Sequence, residues 1–156
     1  MAIATMPRAS DPTWHAQLIE CLMSVPEADG VSASTLAHAW RVARDRIALV
    51  SDMECLQVGV EFNASEATRW IAERRLIGLP LAAALLVPRF QLDDQARPLA
   101  VINDVLVGLG RTGWDAAIWF NSRTALLDDR RPVDLIATEP ERVLTAAGHD
   151  AAHLTR

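Results

Sequence analysis

With 156 residues and 51% hydrophobic content, the chain has the length of one domain or two very small ones and enough apolar material for a real core, which excludes wholesale disorder. Fifteen basic residues against twenty acidic ones leave a formal charge of -5, which argues against indiscriminate coating of nucleic acid or anionic membrane. Every cation is Arg, a bias of coding composition that assigns no function.

Pro7, Arg8, Asp11 and Pro12 interrupt the first residues before a signal-peptide core could form. Asp11-Pro12 then suits the start of a first helix carrying Trp14, Leu18, Cys21 and Leu22 and ending near Pro26, with a turn over 27–30. Ser32 or Ser34 can cap a second helix whose apolar stripe is Leu36, Ala39, Trp40, Ala43, Ile47 and Val50. Its other face, Arg41, Arg44, Asp45 and Arg46, reads as a solvated surface.

Met53, Leu56, Val58 and Val60 suit a short helix broken at Glu61-Phe62-Asn63. Asn63 and Glu66 then form a capping box for a helix with Ala67, Trp70 and Ile71 inward. Two short helices with a tight turn predict a helix-turn-helix. The apolar runs at 76–79 and 85–87 predict a small hairpin, as in a winged variant. The longest weakly polar run, 76–87, holds Gly78 and Pro80 and is too short for a bilayer, so a cytoplasmic protein is expected.

A helix over 99–108 turns Ile102, Val105, Leu106 and Leu109 inward and should stop at Gly108 and Gly110. Thr112 and Asp115 suit a capping box for a helix on which Trp114, Ile118 and Trp119 face one way. A loop over 121–129 follows, in which Leu126 and Leu127 need cover, then a helical turn over 132–136. A last helix begins around Thr138-Glu139-Pro140 and should stop at Gly148. The fold expected is mainly α: N-terminal helices over 1–50 that could dimerise the chain, a helix-turn-helix-like segment with a hairpin over 51–95, and a small all-α domain over 96–156.

The candidates for catalysis are poor. Cys21 and Cys55 match neither a disulfide framework nor a metal signature. His149 and His153 are four apart, but beyond Gly148 they read as incidental, with no third ligand in view. The pairs Asp93-Asp94 and Asp128-Asp129 read as solvated turns, and Gly108-Leu-Gly110 lacks the strand and third glycine of a phosphate loop. No catalytic residue, metal or cofactor is expected.

Recognition remains. In the helix-turn-helix reading Ser65, Arg69 and Ala72 face the groove and Arg74, Arg75 and Arg89 reach phosphates, with Arg69 matching guanine acceptors. Residues 51–95 nevertheless carry four Arg against seven acidic residues, and Glu66 or Glu73 would repel phosphate. The unit suits DNA contact, with a dimer supplying affinity; pure packing is the alternative.

Along the C-terminal third, Trp119-Phe120-Asn121, Leu126-Leu127, Arg130-Arg131-Pro132-Val133-Asp134-Leu135-Ile136 and Arg142-Val143-Leu144 follow in order. This run resembles the toxin-binding domain of the Xre/MbcA/ParS antitoxin family over about residues 99–147. The resemblance implies a protein that binds a partner toxin, often of the NAD-consuming RES-domain class, covers its active site, and in some members represses its own operon. Asn121, Arg123, Arg130 and Arg131, with the tail after Gly148, are then the exposed candidates for partner contact, while Trp119, Val133, Leu135 and Leu144 serve the core. The chain has Leu-Leu-Asp-Asp-Arg where the family commonly has Leu-Gly-Gly, so a positive-φ turn is expected to be costlier here. A stand-alone transcriptional regulator, dimerised by its third segment, is the competing expectation.

Overall fold

The computed structural model describes residues 33–81 and 83–154. The expected first helix and the turn at 27–30 lie outside them, as do the side chains of Leu36 and Trp40; the dimerising role expected of 1–50 falls largely there too. The described chain is mostly helical with one small antiparallel sheet. Its elements are α1 (Ala33–Asp52), β1 (Cys55–Gln57), α2 (Ala64–Ala72), β2 (Leu79–Leu81), β3 (Ala84–Pro88), a 3-10 turn (Arg89–Gln91), α3 (Ala100–Leu109), α4 (Gly113–Asn121), a second 3-10 turn (Ala125–Leu127), α5 (Pro132–Leu135) and α6 (Pro140–Leu154).

The short helix expected over 53–60 is a strand and a turn. Met53, Leu56, Val58 and Val60 fit a helical spacing, but burial around them follows the two-residue period of a strand. Cys55 and Gln57 are buried, and β1 pairs antiparallel with β3 through Leu56 opposite Val87. After β1 the chain reverses: the carbonyl of Gln57 accepts from Glu61 N–H at 2.8 Å, and Gly59 takes a φ of 84°. Val60, which a helix would bury, is 53% exposed. Over 53–75 there is thus one helix, α2, begun where Asn63 Oδ1 accepts from Glu66 N–H at 3.0 Å.

The expected hairpin forms, and β3 is central in the order β1-β3-β2. Strand alternation gives this sheet two jobs. Val87 faces a small cluster of Phe62, Ala67, Trp70 and Leu76 under α2, where Phe62 meets Trp70 edge-on at 6.0 Å. Leu79, Leu81, Ala84 and Leu86 join the main core, shared with Ile102, Val105, Leu106 and Leu109 of α3 and Val143, Ala146 and Ala147 of α6. That core runs through the boundary expected at 95/96, so the sheet and the C-terminal helices bury one another.

A fully buried amide joins the pieces. Gln91 Oε1 accepts from Ile77 N–H at 2.7 Å and its Nε2 donates to Ile77 O at 2.9 Å, supplying the bonds that a neighbouring strand would otherwise make. On α1, Arg46 stacks at 4.9 Å over the ring of Trp114 instead of standing in solvent.

Several helix limits differ from expectation. Gly108 lies within α3, and Gly110 alone ends it, with φ 68° and its N–H on Leu106 O. Thr112 caps α4 by position without a side-chain bond. Ile118 is 50% exposed although Trp114 and Trp119 are buried, because α4 is covered round most of its girth and leaves only a narrow strip at Asp115 and Ile118. Of the two leucines needing cover, Leu127 is buried and Leu126 is exposed. Gly148 does not stop α6, which continues to Leu154. Beyond the glycine, Asp150 Oδ2 accepts from the indole N–H of Trp119 at 2.7 Å, a tertiary bond that offsets glycine's cost of about 1 kcal/mol in a helix.

Candidate functional site

The Arg-Pro-Val-Asp-Leu-Ile segment splits by side. Pro132 opens α5 and is buried, and Leu135 and Ile136 enter the main core. Arg131 and Asp134 stay at the surface, joined as a fork by Arg131 Nε to Asp134 Oδ2 at 2.9 Å and Arg131 Nη2 to Asp134 Oδ1 at 2.8 Å. That fork holds the Asp134 carboxyl below the usual carboxylate range and raises the guanidinium of Arg131.

Beside it opens a cleft of ≈ 320 Å³ lined by Asp52, Met53, Glu54, Arg89, Phe90, Asn121, Arg131, Val133 and Asp134. Each wall has a local cause. The end of α1 delivers Asp52 and Met53. Arg89 N–H donates to Glu54 O at 2.7 Å, locking the end of β3 beside it. Phe90 packs on Phe120 with ring centroids 5.0 Å apart. Asn121, the last residue of α4, donates from Nδ2 to Ala117 O at 2.8 Å and to Met53 Sδ at 3.1 Å, which fixes its amide in the cleft lining. The lining combines the apolar side chains of Met53, Phe90 and Val133 and the amide of Asn121 with charges of both signs, Arg89 and Arg131 against Asp52, Glu54 and Asp134.

A second surface network lies on the loop before α5. Arg142 Nη2 reaches Asp128 Oδ2 at 2.8 Å and its Nη1 reaches Glu139 Oε2 at 2.8 Å; Arg130 meets Glu139 Oε1 at 3.4 Å and Asp128 Oδ2 at 4.0 Å. These four alternating charges close a ring. The Arg142 hydrogen bond is the main cause of lowered carboxyl pKa values at both Asp128 and Glu139. Arg123 Nη1 donates to Asp129 O at 3.0 Å. Asp128 and Asp129 have φ of 56° and 61°, so the left-handed turn expected to need glycine is made here by two aspartates. A short polar side chain tolerates that region better than most, and the ion ring helps hold it.

The four expected partner-contact residues therefore divide. Asn121 and Arg131 line the cleft, whereas Arg123 and Arg130 brace the Asp128-Asp129 turn. Of the residues expected to face DNA, Ser65, Arg69 and Ala72 are exposed on α2. The guanidinium of Arg69 lies 5.6 Å from the Trp70 ring, and Arg75 lies 6.0 Å from it while pairing with Glu73 at 3.2 Å. Arg74 takes a φ of 56°, and its carbonyl and that of Glu73 accept from Asn103 Nδ2 on α3 at 3.1 and 3.2 Å. Arg89 joins Asn121 and Arg131 in the cleft instead. Asp52, Glu54 and Phe90 are not among the expected site residues: Asp52 and Glu54 lie at the start of the stretch whose spacing suits a helix, and Phe90 follows the hairpin, so only the folded chain brings them together.

Cys55 is a buried free thiol pushed up to about 12 by burial, which keeps it un-ionised and inert at neutral pH. Among the described residues, no helix is long and apolar enough to cross a membrane. No family model, curated protein or solved structure matches the chain.

Proposed function

We propose that the chain is a neutralising antitoxin of the Xre/MbcA/ParS kind, which docks on a partner toxin of the RES-domain class through its C-terminal region. The observation that carries this reading is the cleft at the Arg131–Asp134 fork. Leu135 and Ile136 anchor the segment while Arg131, Asp134 and Asn121 are held at the surface by short internal bonds, so their ordering precedes any binding event. A prepaired arginine fork in a cleft also lined by Met53, Phe90 and Val133 is suited to a protein partner, because aromatic and Arg anchors dominate such contacts. The left-handed turn at Asp128 and Asp129 supports the same resemblance, since it supplies with aspartate the backbone that the related loop makes with glycine.

Autoregulation is the second half of the proposal. It rests on α2, whose exposed Ser65, Arg69 and Ala72 could enter a groove, with the β2–β3 hairpin as a wing and Arg74 and Arg75 near phosphates. A regulator that acts on DNA without a protein partner is the competing reading.

Co-expression with the products of adjacent genes tests the proposal. One neighbour should be toxic alone and harmless beside this chain, and the pair should co-purify. Arg131→Glu should lose the rescue while the variant stays folded. If no adjacent product is toxic or captured, and the chain alone binds its upstream DNA with a steep salt slope, the regulator reading replaces the antitoxin one.

A further inference from the structure

We propose that His149 and His153 form a chelating site for a divalent transition-metal ion of the zinc type on the exposed face of α6. A helix ending at Gly148 would leave these imidazoles on irregular chain. Because α6 runs to Leu154, they stand four residues apart on one formed face. Their Nε2 atoms approach to 3.4 Å, with ring centroids 4.4 Å apart and planes inclined by 57°.

Two neutral imidazoles at this distance share a hydrogen bond when one ring carries its proton on Nε2, and with both protons on Nδ1 the two free Nε2 lone pairs are left available to a single metal ion. Nitrogens bound about 2.0–2.1 Å from a tetrahedral Zn²⁺ stand roughly 3.3–3.4 Å apart, so the two Nε2 atoms already have the separation of a two-imidazole chelate, and metal binding would need only a turn of the two exposed rings to aim both lone pairs at one ion. Between the two ligands in sequence, Asp150 is held by the buried Trp119 through its 2.7 Å bond, which pins this stretch of helix to the core and leaves both rings exposed. The same bond occupies the nearest carboxylate. Among the described residues no three His, Cys, Asp or Glu side chains cluster, so these residues supply two ligands, and water can fill the remaining positions. Neutral imidazole selects zinc, nickel or copper over magnesium or calcium.

Titration of Zn²⁺, Ni²⁺ and Mg²⁺ into the tag-free full chain, followed by calorimetry, tests the site. One Zn²⁺ or Ni²⁺ should bind per chain and Mg²⁺ should not. His149→Ala and His153→Ala should each weaken binding at least about tenfold, since losing a ligand costs no less than losing an outer-shell partner. His38→Ala should leave it unchanged. A variant with both His153→Ala and Ala151→His keeps two imidazoles but sets them on different faces, and should bind as weakly as His153→Ala. The circular dichroism of each variant reports whether α6 persists. No saturable Zn²⁺ or Ni²⁺ binding, binding that survives loss of both histidines, or full affinity in the shifted pair would overturn the proposal.

Discussion

The α2 face and the C-terminal helices bury hydrophobic surface in very different ways, although the same sheet serves both. Under α2 the cluster is Phe62, Ala67, Trp70, Leu76 and Val87, and the nearby cations Arg69 and Arg75 lie over the single ring of Trp70. On the other side, α3, α4 and α6 close over a far larger core whose surface is tied by the Arg131–Asp134 fork and the four-charge ring. A small cluster relies on a single aromatic pair, Phe62 and Trp70, whereas a large one distributes the load. The first region should therefore fail at one residue, and the second should respond to many substitutions by small amounts.

Trp70→Ala is the strongest test of that contrast. It should cost about 3–5 kcal/mol, the range for removing a buried large aromatic, and denaturant unfolding would measure it. Because the sheet is common to both cores, a single shifted transition is expected, and two separate transitions would break the comparison. Gln91→Ala comes next. It leaves the N–H and carbonyl of Ile77 unpaired in the interior, at roughly 1–3 kcal/mol for each group, and the Ile77 amide should lose its hydrogen-exchange protection.

Smaller effects are expected on the C-terminal side. Asp129→Gly should stabilise the protein by up to about 1 kcal/mol, since glycine relieves the left-handed backbone while Arg123 still binds the carbonyl of residue 129. Asp128→Gly should gain less, because it removes the carboxylate that Arg142 and Arg130 hold. Thermal midpoints of the two variants rank them. The smallest effect is acid sensitivity. Asp93, Asp128, Asp134 and Glu139 all have carboxyl pKa values lowered by hydrogen bonds, so their stabilisation is complete above the ordinary carboxylate pKa near 4 and is lost as pH falls through that value toward the lowered ones. Three of these four belong to the fork and the ring. Replacing Arg142 and Arg131 with Gln should flatten the stability profile below pH 5.

The sequence was legible where local rules and tertiary demands agreed. Ile102, Val105, Leu106 and Leu109 keep one helical stripe and are all buried, and Asn63 caps α2 as its residue type suggests. It misled where one pattern served two periods. Met53, Leu56 and Val58 suit either a helix or a strand, and only the distant β3 chooses between them. Gly148 reads as a stop because glycine ends helices, but a bond from Trp119 carries α6 past it. The pairing of Gln91 with Ile77 left no local trace, since its meaning lies fourteen residues away. Within the candidate site, the Arg131–Asp134 pair was readable from its spacing of three, while the cleft it borders needed the end of α1 and the start of the first 3-10 turn brought beside it.

The cleft at Arg131 and Asp134 is the face proposed to engage a partner toxin. The most direct measurement is a growth assay with the toxic neighbouring gene product co-expressed beside the native chain, Arg131→Glu and Asp129→Gly. Cells should survive with the native chain and with Asp129→Gly, and die with Arg131→Glu at equal abundance of the variant. Survival with Arg131→Glu, or death with the native chain, would contradict it.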